Sequence, residues 1–107
     1  MSAPQRSPWG HPDSITEEAP GIWWYSTPSH GGYWLSPARR AAMPEALKCK
    51  TFAGGPWYEE DCDWAIVVCA FPDDFEIDVR ATAYDALHRW RPGVFAAHYG
   101  EHLGVTP

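Results

Sequence analysis

The stretch Pro56-Trp57-Tyr58-Glu59-Glu60-Asp61-Cys62-Asp63-Trp64 puts the tightest constraint on the fold. Four carboxylates fall within five positions, flanked by Trp57, Tyr58 and Trp64, and an apolar run from Ala65 to Phe71 follows. Such a segment has to keep its head in water and drive its tail into a core. Gly54-Gly55 supplies a flexible lead-in and Pro72 a stop. The pattern predicts a helix over residues 58–71, because acids at its start suit the positive end of the helix dipole. The β-branched run Ile66-Val67-Val68 leaves a strand over residues 65–70 as the competing assignment. In the helix, Cys62, Ile66 and Cys69 share one face as ordinary core residues.

The rest of the chain supplies what that segment packs against. Ile22-Trp23-Trp24-Tyr25-Ser26-Thr27 is rich in β-formers and reads as a strand, ended by Pro28. Pro28-Ser29-His30-Gly31-Gly32 is a tight connection, and Tyr33-Trp34-Leu35 the returning strand. Ser36-Pro37 is a helix-start signal for Ala38-Arg39-Arg40-Ala41-Ala42. Pro44 breaks that turn and starts another over residues 45–48. Residues 49–55 are a connection that can hold a short strand at Thr51-Phe52. Val79, Ala83, Ala86, Leu87 and Trp90 recur at helical spacing, so residues 79–90 are a helix, stopped by Pro92-Gly93. A last short helix covers residues 94–99. Residues 1–12, rich in Pro, Ser and Gly, read as an extended arm anchored by Trp9; residues 13–18 read as a turn or strand entry.

With 107 residues the chain suffices for one domain, here residues 13–107, around one core. Seven tryptophans exceed what a minimal core needs, and Trp23 or Trp24 is a candidate for an interface, where Trp is enriched. Net charge of −6 argues against a general nucleic-acid binder, because phosphate contacts need Lys and Arg. From Thr51 to Val79 there are eight acids, Glu59, Glu60, Asp61, Asp63, Asp73, Asp74, Glu76 and Asp78, and no Lys or Arg. Arg39, Arg40 and Arg80, outside that window, can pair with them across the fold. Three cysteines form no CxxC, and the odd count with no signal peptide points to a reducing cytoplasm. No apolar run approaches about 18 residues, so no membrane span is expected.

The candidate chemistry is thin. His98 and His102 stand four apart, as two imidazoles on one helical face would, but HExxH and a third ligand are missing and Gly100 weakens the helix. Cys62 is a poor nucleophile, because the carboxylates around it disfavour a thiolate. Glu59, Glu60, Asp61 and Asp63 can act in acid–base work, hold a hard cation or bind a partner, though the alternating calcium-loop pattern is absent. His30, beside two glycines, is the residue that most resembles a catalytic base, with fixing the turn as its structural alternative. No Gly-x-Ser-x-Gly, phosphate loop or dinucleotide fingerprint is present, and the expectation is no catalytic residue, no metal and no cofactor.

Two stretches carry a resemblance: Tyr25-Ser26-Thr27-Pro28-Ser29-His30-Gly31-Gly32-Tyr33-Trp34-Leu35-Ser36-Pro37, and Gly55-Pro56-Trp57-Tyr58-Glu59-Glu60-Asp61-Cys62-Asp63-Trp64-Ala65 running on to Pro72. They resemble a domain family of unknown function carried by bacteriophages, plasmids and related mobile elements, from about residue 8 to the helix ending at Trp90. The resemblance implies a setting, the conflict between mobile elements and bacterial hosts, and no catalytic residues. By analogy with anti-CRISPR proteins, clustered carboxylates compete with phosphates for Lys and Arg in a DNA channel.

The expectation is therefore an α+β domain: a small antiparallel sheet built on a hairpin over residues 22–35, packed with two to four helices. Its leading function is a non-enzymatic binder in the cytoplasm of a bacterial host. It inhibits a DNA-handling defence complex, such as a CRISPR effector, by presenting the eight acids of the window to that complex's basic surface, with no direct nucleic-acid or membrane partner. The alternatives are an enzyme or metal-dependent accessory domain using His30 with Glu59, Glu60 or Asp61, which requires the hairpin loop and the acidic segment to meet, and a structural module with no host target.

Overall fold

Aromatic and β-branched side chains on facing runs build the centre of the molecule as a hairpin. The structure, a computed structural model, describes residues 3–100. Strands β2 (Ile22–Ser26) and β3 (Gly31–Leu35) pair antiparallel, with Trp23 opposite Trp34 and Trp24 opposite Tyr33. The Trp24 and Tyr33 rings meet edge to face at 4.7 Å, a cross-strand contact that holds the register. Thr27 closes the loop: its hydroxyl donates to the His30 carbonyl at 2.6 Å and accepts from the His30 N–H at 3.0 Å.

Strand β1 (Ser14–Ala19) adds antiparallel to β2 and is an exposed edge. Residues 13–18 thus enter a full strand. Glu17 and Glu18 lie on that edge, and the register shifts between Glu17 and Ala19; charge and a bulge both discourage pairing with another chain. Strand β4 (Trp57–Glu59) closes the other side, giving the order β1-β2-β3-β4, antiparallel throughout.

The helix predicted over residues 58–71 does not form at that length. Trp57–Glu59 is strand, residues 60–63 turn, and helix α2 spans only Trp64–Ala70. The physical reason lies in the partner. Gly32 faces Glu59, and a Cβ on Gly32 would lie 2.6 Å from the Trp9 ring and closer still to the Tyr58 carbonyl oxygen. Only glycine lets β4 and Trp9 approach β3 this closely, so the backbone of residues 57–59 finds ladder bonds there instead of a helical turn. Ala65, Ile66, Val67, Val68 and Cys69 of α2 are all buried, which outweighs the modest helix penalty of the β-branched residues.

Ser36 caps helix α1 (Pro37–Ala42), its hydroxyl accepting from the Arg39 N–H at 3.2 Å. A 3-10 turn over Glu45–Leu47 follows, and residues 49–55 form an irregular connection with no strand at Thr51-Phe52. Helix α3 (Ile77–Trp90) begins two residues earlier than the apolar spacing suggests, and α4 (Pro92–Tyr99) uses Pro92 as its first residue, where a missing N–H costs nothing. Ile22, Leu35, Leu47, Ile66, Val67, Val68, Ala83 and Leu87 are fully buried between the sheet and α2, α3 and α4. The α+β architecture with an antiparallel sheet on the hairpin is as the sequence predicts. No helix among the described residues is long and apolar enough to cross a membrane.

Candidate functional site

The turn after β4 docks on the loop of the β2–β3 hairpin. The Glu60 N–H donates to the Gly31 carbonyl at 2.8 Å, and Glu59 sits opposite Gly32 in the ladder. Two segments far apart in sequence, His30 and residues 59–61, are therefore neighbours. The His30 Nδ1 lies 3.8 Å from Asp61 Oδ2, with side chains 47% and 67% exposed. His30, Glu59 and Asp61 each place one ligand-type atom within 4.8 Å of the others. The meeting of hairpin loop and acidic segment that the His30 alternative requires is present. The His30 backbone, not its ring, fixes the turn through Thr27, leaving the imidazole facing the carboxylates.

The eight acids of the window do not form one surface. Asp63 is fully buried and belongs to the interior. Its Oδ1 accepts from Arg91 Nη2 at 2.8 Å and Nε at 3.0 Å, and its Oδ2 accepts from the Phe52 N–H at 2.8 Å. A buried charge is tolerable only with this kind of full partnering, so Asp63 is a clamp that ties the start of α2 to the end of α3 and to the 49–55 connection. Asp63 cannot meet a partner protein without unfolding that clamp. Asp74 is also engaged, accepting from Arg39 Nη1 at 2.8 Å. Arg39 further donates to the Pro20 carbonyl at 2.8 Å and stacks its guanidinium 4.7 Å over the Phe71 ring. Arg39 thus joins the β1–β2 turn to the end of α2.

Glu59, Glu60 and Asp61 lie before α2, and Asp73, Glu76 and Asp78 after it. Among the described residues none of these six has a Lys or Arg within ion-pair distance. Helix α2, seven residues and about 10 Å long, separates the two groups along the chain. Glu59 is half-buried and the other five are exposed.

The remaining candidates carry less. Burial first, and the Asp63 charge next, push the Cys62 thiol up, in the direction that suppresses a nucleophilic thiolate. Burial also raises Cys49 and Cys69, and all three cysteines are free. His98 lies in α4, whereas His102 falls outside the described residues. The first stretch to escape sequence reading is Arg91 with Phe52: nothing in their spacing marks them as partners of Asp63, 28 and 11 residues away.

Residues 2–106 match the family described as Domain of unknown function (DUF7007), and the chain belongs to that family. This agrees with the resemblance to a small family of unknown function that the two long stretches carry. No curated protein and no solved structure matches the chain.

Proposed function

Taking membership of that family as the premise, we propose that the protein is a small acidic binder from a mobile element that inhibits a host DNA-handling defence complex, in the manner of an anti-CRISPR protein. The observation that supports it is the six carboxylates that, among the described residues, have no Lys or Arg partner, on a chain of net charge −6. The backbone that carries Glu59 and Glu60 is held by the β4 ladder and the Glu60–Gly31 bond, so these acids meet a basic surface without backbone ordering. Asp73, Glu76 and Asp78 form the second group. Asp63 and Asp74 hold the fold together instead. Two groups of carboxylates occupy Lys and Arg that would otherwise hold phosphates, which blocks DNA by mimicry rather than by bulk. The reading places the protein in the cytoplasm of the bacterial host. The test is DNA binding by a purified CRISPR effector with its guide RNA, with and without the protein. Loss of DNA binding with the wild type, and its return with Glu59→Lys, Glu60→Lys and Asp61→Lys combined, is expected. Undiminished DNA binding in the presence of the wild type overturns inhibition of that effector.

The convergence of His30, Glu59 and Asp61 favours a second reading, a divalent-cation site supporting an accessory or hydrolytic role. One imidazole and two carboxylates suit manganese or zinc better than calcium, which takes oxygen ligands. Manganese titration by electron paramagnetic resonance decides it: saturable binding that disappears in His30→Ala supports the cation, and equal binding by both proteins removes it.

A further inference from the structure

A basic pocket that none of the window's acids lines opens between α1, the 3-10 turn and β4. Arg40 of α1, Lys48 and Lys50 line it, with Met43, Cys49, Gly55 and Tyr58 completing the walls. Its volume is about 490 Å³, within the range of small-ligand sites. Three of the chain's eight Lys and Arg residues thus converge on one cavity of an acidic protein. Arg39 and Arg91 are committed to Asp74 and Asp63, but these three are not bound up in that way. Among the described residues the one carboxylate within ion-pair distance of the three is Glu45, 3.6 Å from Lys48, and Glu45 is 90% exposed, so water screens it. The Gly55 backbone forms a wall where a Cβ would come within 3.0 Å of Arg40 Nη2, so glycine leaves the guanidinium room there.

Lys50 also borders an adjoining depression formed with Thr51, Phe52, Trp90 and Arg91. Phe52 is 80% and Trp90 57% exposed, and both rank among the chain's exposed large hydrophobic residues. Their positions are not loose. The Asp63 clamp bonds the Phe52 backbone and the guanidinium of Arg91, the residue after Trp90, to one carboxylate, and Phe52 and Trp90 line the same depression. Exposed aromatic faces beside cations are what a nucleobase stacks on.

We propose that this surface binds a nucleoside monophosphate, with the phosphate among Arg40, Lys48 and Lys50 and the base against Phe52 and Trp90. Guanidinium and ammonium donors match phosphate oxygens, and the two rings supply the affinity for the base. The rest of the surface carries net negative charge, which repels a long phosphate chain and favours a single nucleotide over a strand. The site is separate from the acidic groups, so its failure leaves the proposed inhibition standing.

Calorimetric titration of the full chain with AMP, inorganic phosphate and adenosine tests it. AMP is expected to bind one to one, at least about tenfold more tightly than phosphate or adenosine. Lys50→Glu is expected to weaken AMP at least about tenfold, and Phe52→Ala with Trp90→Ala to bring AMP to within about threefold of phosphate. All three substitutions are at exposed side chains, and an unchanged thermal midpoint verifies folding. AMP should also slow alkylation of Cys49, which lines the pocket, while Cys62 and Cys69 are buried. Adenosine binding as tightly as AMP, AMP no tighter than phosphate, no saturable binding below about 10 mM, or AMP affinity unchanged by Lys50→Glu each overturns the proposal.

Discussion

Asp63 shows how much one side chain can decide. Fully buried, it satisfies two bonds from Arg91 and one from Phe52. Removing Arg91 strands a buried carboxylate, so Arg91→Ala should cost about 3 kcal/mol of stability, measured by urea unfolding. Asp63→Asn should cost less, because Arg91, 24% exposed, can turn to water and the amide oxygen still accepts from Phe52. Equal losses in the two variants would show that the pair is not the buried clamp described. In the sequence Asp63 is indistinguishable from Glu59, Glu60 and Asp61. Charge and spacing count acids but do not tell which one the chain turns inward, because that depends on Arg91, a residue of another element.

At the scale of elements, what is visible in the sequence is what depends on local chemistry. The hairpin follows from β-formers on both sides of a Gly-Gly turn, and α1 from a Ser-Pro start. Ser36→Ala should cost about 1 kcal/mol through the lost bond to the Arg39 N–H, in a thermal melt. The β4–α2 boundary was not legible, because acids suit a helix start as well as a turn and the buried run of α2 has no period to read. What decides it is the space over Gly32. Gly32→Ala should therefore destabilise by about 2 kcal/mol or more and loosen Trp9 from Trp57, whose rings meet at 5.6 Å. Hydrogen exchange that rises at residues 57–59 and spares α3 would localise the damage to β4; uniform protection would contradict it.

At the scale of the whole molecule, charge is sorted into regions: carboxylates before and after α2, and cations around the pocket lined by Arg40, Lys48 and Lys50. Its aromatic core sets an upper pH limit. Burial first, then the charge of Glu18, push Tyr33 up to about 12 from 10.0, and burial likewise raises Tyr25, Tyr58 and Tyr99. Between the ordinary and the raised value the folded state keeps protons that the unfolded chain has lost. Stability is therefore full below 10.0 and falls as pH rises toward about 12. Urea midpoints that stay level across that window would contradict the burial of these hydroxyls.

The sharpest test of the acidic-binder reading is affinity capture from bacterial lysate at low and high salt. The wild type is run beside the variant carrying Glu59→Lys, Glu60→Lys and Asp61→Lys, and retained DNA-binding complexes are challenged with DNA. The reading predicts a nucleic-acid-handling complex that the wild type holds at low salt, releases at high salt and surrenders to competing DNA, and that the variant does not hold at all. Equal retention by wild type and variant, indifferent to salt and to DNA, would contradict it.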